Sequence, residues 1–149
     1  MLTVGDAAAN QRLSALQTLW DQKRAERAMP RRSDFSVVEL RPWLGHLALI
    51  DLGEQDDTFR LCGINLFQRF GGDMTGLSTR DLRIEGGRIL RDCIAHTRKT
   101  ALPHPSKHTQ IIHGENVTFD ELTLPLATEG VAMSVVLFAS YPATAEAAW

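Results

Sequence analysis

Val117-Thr118-Phe119-Asp120-Glu121-Leu122-Thr123-Leu124-Pro125-Leu126 is the stretch on which the fold turns. Apolar residues alternate along it, as in a strand with one buried face. The alternation changes phase part-way: Val117 and Phe119 are odd, whereas Leu122, Leu124 and Leu126 are even. One extra residue in a strand moves every later side chain to the other face, so the phase change predicts a β-bulge near Asp120-Glu121. Pro125 has no N–H to offer a neighbouring strand and is expected near this strand's end. Turn residues flank the segment, His113-Gly114-Glu115-Asn116 before it and Thr128-Glu129-Gly130 after it. Beyond those turns lie two more strands, 108–112 and 131–140, the latter with Val131, Met133, Val135 and Leu137 on one face.

The chain upstream of this three-stranded meander reads in the same way. Gly86 to Thr100 is a helix with Ile89, Leu90, Cys93, Ile94 and Thr97 facing inward, ended by Pro103 and Pro105. Before it come a glycine-broken helical turn over 66–76 and a short turn near 78–82. Strands 46–52 and 58–63 make a hairpin around Gly53-Glu54-Gln55-Asp56-Asp57. Strand 46–52 is apolar at both parities, so it is expected to be central and covered on both faces. Residues 10–29 form a helix with the stripe Leu13, Leu16, Leu19 and Trp20, stopped by Pro30. Ser36 and Glu39 have capping-box spacing, with Phe35 and Leu40 placed for a hydrophobic staple and Pro42 ending that turn. Helix, two strands, short helices, helix and three strands define an α+β protein: an antiparallel sheet with helices on one face.

Composition narrows the class. The 149 residues are 44% hydrophobic and 23% charged, which describes a globular domain with a core. Sixteen basic against eighteen acidic residues give a net charge of −2, which argues against a strongly basic nucleic-acid binder. No apolar run reaches the ~18 residues a bilayer span needs. The opening residues have no basic region followed by an apolar core, and two cysteines are too few for a disulfide framework, so a cytoplasmic protein is expected.

Several short segments carry a resemblance: Leu19-Trp20, Met29-Pro30-Arg31-Arg32-Ser33-Asp34-Phe35, Pro42-Trp43-Leu44-Gly45, Phe59-Arg60-Leu61-Cys62-Gly63, Gly72-Asp73-Met74-Thr75-Gly76 and Leu124-Pro125-Leu126. In this order and spacing they resemble a bacterial single-domain subfamily of the PAS domain family, over residues 19–141. The resemblance implies a five-stranded antiparallel sheet in the order 2-1-5-4-3. It implies a sensory or protein-interaction module of signal transduction, with a small molecule held between the sheet and helix 86–100. It divides the chain into an N-terminal dimerisation or signal helix (1–30), a core (31–141) and a fraying tail (142–149). A small apolar ligand, its identity left open, is expected among Leu61, Ile89, Cys93, Ile94, Thr97, Met133 and Val135. A homodimer through Leu13, Leu16, Leu19 and Trp20 is expected, with a downstream signalling protein as partner; the same stripe could instead pack on its own sheet.

The reactive side chains point to no established chemistry. His104, His108 and His113 are close in sequence, but residues five apart in a strand face opposite sides, so no metal is expected. In haem-binding PAS sensors the iron ligand comes from the pocket-lining helix; His96 lies at the edge of that helix's inward stripe, and no haem is expected. Flavin photosensors of this fold use a cysteine beside an asparagine in the short-helix region. Here Asn65 stands without one and Cys62 is in a strand, so no flavin is expected. Cys62 and Cys93 read as small buried apolar groups. No nucleophile elbow, P-loop or HExxH is present, and Gly71-Gly72 and Gly86-Gly87 read as turn formers, so no enzyme is expected. The alternative function is a nucleic-acid-associated regulator using Lys23, Arg24, Arg27, Arg31 and Arg32.

Overall fold

β1 (Leu47–Asp51) is buried at four of its five positions, which only a central strand covered on both faces can be. The computed structural model describes residues 4–143, with side chains from residue 10 onward. Its sheet is antiparallel throughout and runs β2-β1-β5-β4-β3. The other strands are β2 (Thr58–Cys62), β3 (His104–Ile112), β4 (Glu115–Thr128) and β5 (Val131–Pro142). The helices are α1 (Val4–Arg24), α2 (Val37–Leu40), α3 (Phe67–Phe70) and α4 (Glu85–Thr100).

Two apolar layers sandwich the sheet. Ala48 and Ile50 of β1 and Val136 and Phe138 of β5 join Phe70, Ile89, Leu90 and Ile94 beneath α3 and α4. Leu47 and Leu49 of β1 and Leu122, Leu124 and Leu126 of β4 join Leu13, Leu16 and Trp20 beneath α1. We call these the inner and outer faces. Phe35 and Leu40, the two ends of the hydrophobic staple, are buried in the outer layer. The capping box between them is made: Ser36 Oγ accepts from Glu39 N at 3.1 Å and Glu39 Oε1 accepts from Ser36 N at 3.0 Å. α2 ends at Leu40 with Arg41 as its C-cap directly before Pro42, and Pro42 lies at the start of a 3-10 helix over Arg41–His46 that delivers the chain to β1.

α1 stops at Arg24, five residues before the position read from Pro30. Ala25 takes the left-handed conformation at φ 54°. The Arg27 guanidinium turns back onto the helix's last carbonyls, Lys23 O at 2.7 Å and Arg24 O at 3.2 Å. Pro30 instead lies beside β4, where its carbonyl accepts from Ala127 N at 2.9 Å. α4 likewise ends on a left-handed residue, Ala101 at φ 55°, before either proline is reached.

β4 has no bulge at Asp120-Glu121. Its pairing with β3 runs unbroken from Thr123↔His104 to Glu115↔Ile112, and with β5 from Phe119↔Pro142 to Leu126↔Val135. The phase change is chemical: Glu121 (1% exposed) and Thr123 (0%) occupy inner-face positions expected to hold apolar side chains. Irregularities occur elsewhere. Leu49 pairs with Leu61 and Ile50 with Phe59, so Arg60 is the extra residue in β2. A second register shift lies between Leu126 and Thr128, opposite Met133 at φ 46°. Pro125 falls beyond the end of β3, which starts opposite Thr123, so its missing N–H costs no pairing on that side. Its carbonyl accepts from Trp20 Nε1 at 2.9 Å. At the C-terminus Ala143 is buried and its N–H meets Thr118 O at 2.8 Å; the rest of the expected tail, 144–149, is outside the described residues.

Leu13, Leu16 and Trp20 are therefore covered within one chain, at 8, 0 and 2% exposure, and Leu19 is half-buried. They do not form the free face that a second copy would need. Removing a fully buried leucine costs ~2–5 kcal/mol. Leu16→Ala should lower the unfolding free energy in denaturant by that amount, independently of protein concentration. A loss that depended on concentration would return the stripe to an interface between copies.

Candidate functional site

The inner face carries a buried polar network centred on Arg69. This residue lies on α3, a single turn closed by Gly71 in the left-handed region at φ 94°. Its guanidinium is 0% exposed and ion-paired through Nη1 with Glu121 Oε2 of β4, itself 0% exposed at the side chain. Nη1 also donates to Ser140 Oγ of β5 at 2.6 Å, and Nε donates to Gln110 Oε1 of β3 at 2.9 Å. Gln110 returns its amide to Arg69 O at 3.1 Å. The guanidinium carbon stands 4.0 Å from the Phe119 ring centroid, a cation–π contact within the core. One arginine thus ties α3 to three strands.

The second oxygen of Glu121 faces the α4–β3 edge. His108 Nδ1 donates to Oε1 at 2.6 Å, and Ser106 Oγ donates to it at 3.4 Å. That carboxylate bond holds the His108 imidazole above its ordinary range. Cys93 Sγ lies 3.8 Å from Ser106 Oγ, and burial pushes its thiol up to about 11. His104 is moved the other way, held down by burial and by His96, whose ring lies 4.0 Å from its own. The close approach of α4 to α3 requires Gly86: a Cβ there would come within 1.8 Å of Arg69 O. Gly86-Gly87 is thus a packing device at a helix start.

The residues expected to line one pocket are divided between the two faces. Ile89, Cys93, Ile94 and Thr97 share the inner face of α4 and are buried. Leu61 and Val135 pack in the outer layer, and Met133 touches both layers. The bulge at Arg60 turns Leu61 away from Phe59's side, and strict alternation in β5 places Val135 with Leu137 on the outer face. Surface grooves flank α1: one of about 410 Å³ includes Arg12, Pro42 and Trp43, and one of about 290 Å³ includes Ser14, Gln17 and Asp120. His113 sits in the β3–β4 turn at φ 51°, so the histidine triple does not converge. Three of the five basic residues are paired internally: Lys23 with Glu39 at 2.5 Å, Arg24 with Asp21 at 3.5 Å and Arg27 with Asp34 at 2.6 Å.

From the sequence Glu121 reads as part of a bulge, not as a buried site residue, and Arg69 is not singled out at all. The signal for Glu121 was present, in the phase change of β4. Arg69 carried none, since an arginine between Gln68 and Phe70 reads as a surface residue.

With this geometry in place, the family follows. A family model for the PAS domain matches residues 8–137, and the chain belongs to the PAS domain family. Among solved structures it is similar to a light-oxygen-voltage domain studied with a flavin analogue, at 9% identity and TM-score 0.55, over 74% of this chain and 85% of that one. It is similar also to the blue-light photoreceptor Aureochrome1 LOV domain in its light state, at 10% identity and TM-score 0.50, over 74% and 91%. A third is the PAS domain of Bordetella pertussis BvgS, at 12% identity and TM-score 0.46, over 68% and 76%. No curated protein matches the sequence. The shared sheet order establishes the fold, and no helix among the described residues is long and apolar enough to cross a membrane.

Breaking a buried ion pair on one side costs ~3–5 kcal/mol, whereas replacing both partners by apolar groups is often neutral. Glu121→Gln should therefore destabilise the fold in denaturant titrations, and Arg69→Met with Glu121→Leu should recover most of the loss. A double variant weaker than the single would refute this account. His108 gives a pH signature. Its folded pKa lies above the ordinary 6.5, so its contribution is complete below that pH and disappears as pH rises through the raised value. The stability gap between wild type and His108→Gln should be widest on the acid side and close toward alkaline pH. His46 opposes it: burial and Arg12 push it down to about 4, so stability is lost there as pH falls from 6.5.

Proposed function

We propose that this chain is a sensory and protein-interaction module of signal transduction whose interior is closed by its own side chains. The observation that carries this reading is the packing beneath α4. Arg69, Phe70, Phe138, Ile89 and Ile94 occupy that space at 0, 2, 0, 1 and 2% exposure. The resemblance leads one to expect a small ligand there. In this reading the Arg69–Glu121 network takes that place, and the module signals by changing how α1 packs on the sheet. α1 is tied down through Trp20 to Pro125 O and through Trp43 Nε1 to Arg12 O, at 2.9 and 2.8 Å. A coupling of ~1–3 kcal/mol is enough to bias such a docking equilibrium.

Flavin photochemistry through a cysteine adduct forms no part of this reading. Residues 64–76 contain no cysteine, and Cys62 lies in β2 against the inner layer. A nucleic-acid role forms no part of this reading: Lys23, Arg24 and Arg27 are already paired with acids of their own chain. Catalysis forms no part of this reading, since Glu121 is held by a buried arginine. We place the module in the cytoplasm, where its two free thiols stay reduced.

Amide hydrogen exchange tests the coupling. Glu121→Gln should raise exchange in α1, although α1 contacts the outer face alone. A response confined to α3, α4 and β3 would end this reading. Native mass spectrometry of the purified chain should show no co-purifying organic molecule; a stoichiometric one would replace the closed interior with a ligand-filled one.

A further inference from the structure

We propose that Cys93, His108 and Glu121 form a binding site for a divalent transition-metal ion, with zinc as the best chemical fit. The three come from α4, β3 and β4, and one donor atom from each lies within 4.8 Å of the others. A tetrahedral ion with bonds of ~2.0–2.3 Å sets its donors roughly 3.3–3.7 Å apart, so the more distant donors close in by about an ångström while His108 Nδ1 and Glu121 Oε1, now 2.6 Å apart, open to admit the ion. Sulfur, imidazole nitrogen and carboxylate oxygen are the donor types zinc takes, whereas calcium and magnesium require oxygen cages.

The surroundings suit an ion. Arg69 and Ser140 hold the far oxygen of Glu121, so the carboxylate is oriented from behind as metal-ligating carboxylates are. Cys93 is fixed on a rigid helix facing the sheet, at 1% exposure. The His108 side chain is 33% exposed and provides the way in from solvent, which also supplies the fourth ligand. On binding, the Cys93 thiol gives its proton to solvent, and the hydrogen between His108 Nδ1 and Glu121 Oε1 also passes to solvent, leaving a neutral imidazole protonated at Nε2 and a free carboxylate oxygen. Thiolate and carboxylate then balance the two charges of the ion. The Arg69 charge opposes binding, so the site depends on its sulfur donor. The donors differ from the histidine triple suggested by sequence proximity: only His108 belongs to both.

The site stands independently of the signalling role. The full chain, stripped with EDTA, is titrated with cobalt(II) chloride and then zinc chloride. One cobalt per chain should bind, with thiolate-to-cobalt charge-transfer absorption in the near ultraviolet that zinc abolishes. Cys93→Ser should lose this absorption and Cys62→Ser should keep it. Ser140→Ala, which leaves all three donors in place, should weaken binding roughly tenfold or more. Because Cys93 is buried, His108→Gln at the open edge serves as the second variant; circular dichroism should show it folded, and it too should lose the band. A folded wild type without cobalt absorption, or a band that survives Cys93→Ser, would overturn the proposal.

Discussion

A buried guanidinium opposite a buried carboxylate is the constraint from which the rest of this fold follows. Arg69 and Glu121 form an ion pair with neither side chain exposed to water, so each must be matched by the other and by its polar neighbours. The molecule meets this demand by bringing α3 against three strands at once. Gln110 and Ser140 take up Nε and Nη1 of the guanidinium, His108 meets the second carboxylate oxygen, and Phe119 covers the cation with its ring, while Arg69 Nη2 is buried without a hydrogen-bond partner. Such a pair contributes less to stability than an apolar core of equal volume would. It specifies one position of α3, because a shift of a single turn would leave a charge unpaired. Gly86 extends the same constraint, since the contact of α4 with the Arg69 carbonyl tolerates no side chain.

The sheet separates this polar interior from the outer layer and also joins the two. Neighbouring residues of β4 alternate between them: Glu121 and Thr123 belong inside, Leu122 and Leu124 lie under α1. A rotation of β4 that relaxed the ion pair would therefore disturb the seat of Trp20 and Leu16. Protein interiors are close-packed and have few intermediate arrangements, so such movements are stepwise. The architecture suits a module that reports on one face what happens on the other.

How much of this was legible in the chain depended on whether local chemistry or distant contacts decided each element. The capping box of Ser36 and Glu39, the burial of Phe35 and Leu40, and the two-sided apolar strand read at 46–52 and formed over 47–51 all rest on local signals. The sheet order came from the resemblance, and the structure has it. The end of α1 was misplaced because Ala25, a residue with no turn preference, takes a left-handed conformation that Arg27 stabilises from beyond the helix. The pocket was misassembled because an extra residue in β2 reversed the parity of Leu61, which no pattern in five residues reveals. Half of the site left a trace, the phase change at Glu121; the pairing was not legible because Arg69 lies 52 positions away.

The reading of β4 has the widest consequence. Alternation rules assume that the buried face of a strand is apolar, and a break in alternation is then explained by geometry, as a bulge. Through Asp120 and Glu121 the geometry of β4 is regular and the assumption fails. Glu121 is buried as thoroughly as Phe119, because a cation from α3 makes that burial tolerable. An apparent change of phase at an acidic residue, in a strand whose pairing can continue unbroken, therefore has two physical sources. A bulge leaves the acid at the surface. A regular register buries it and demands a buried base elsewhere in the chain. The second source converts a flaw in the pattern into a search for the partner, and here that search ends at Arg69.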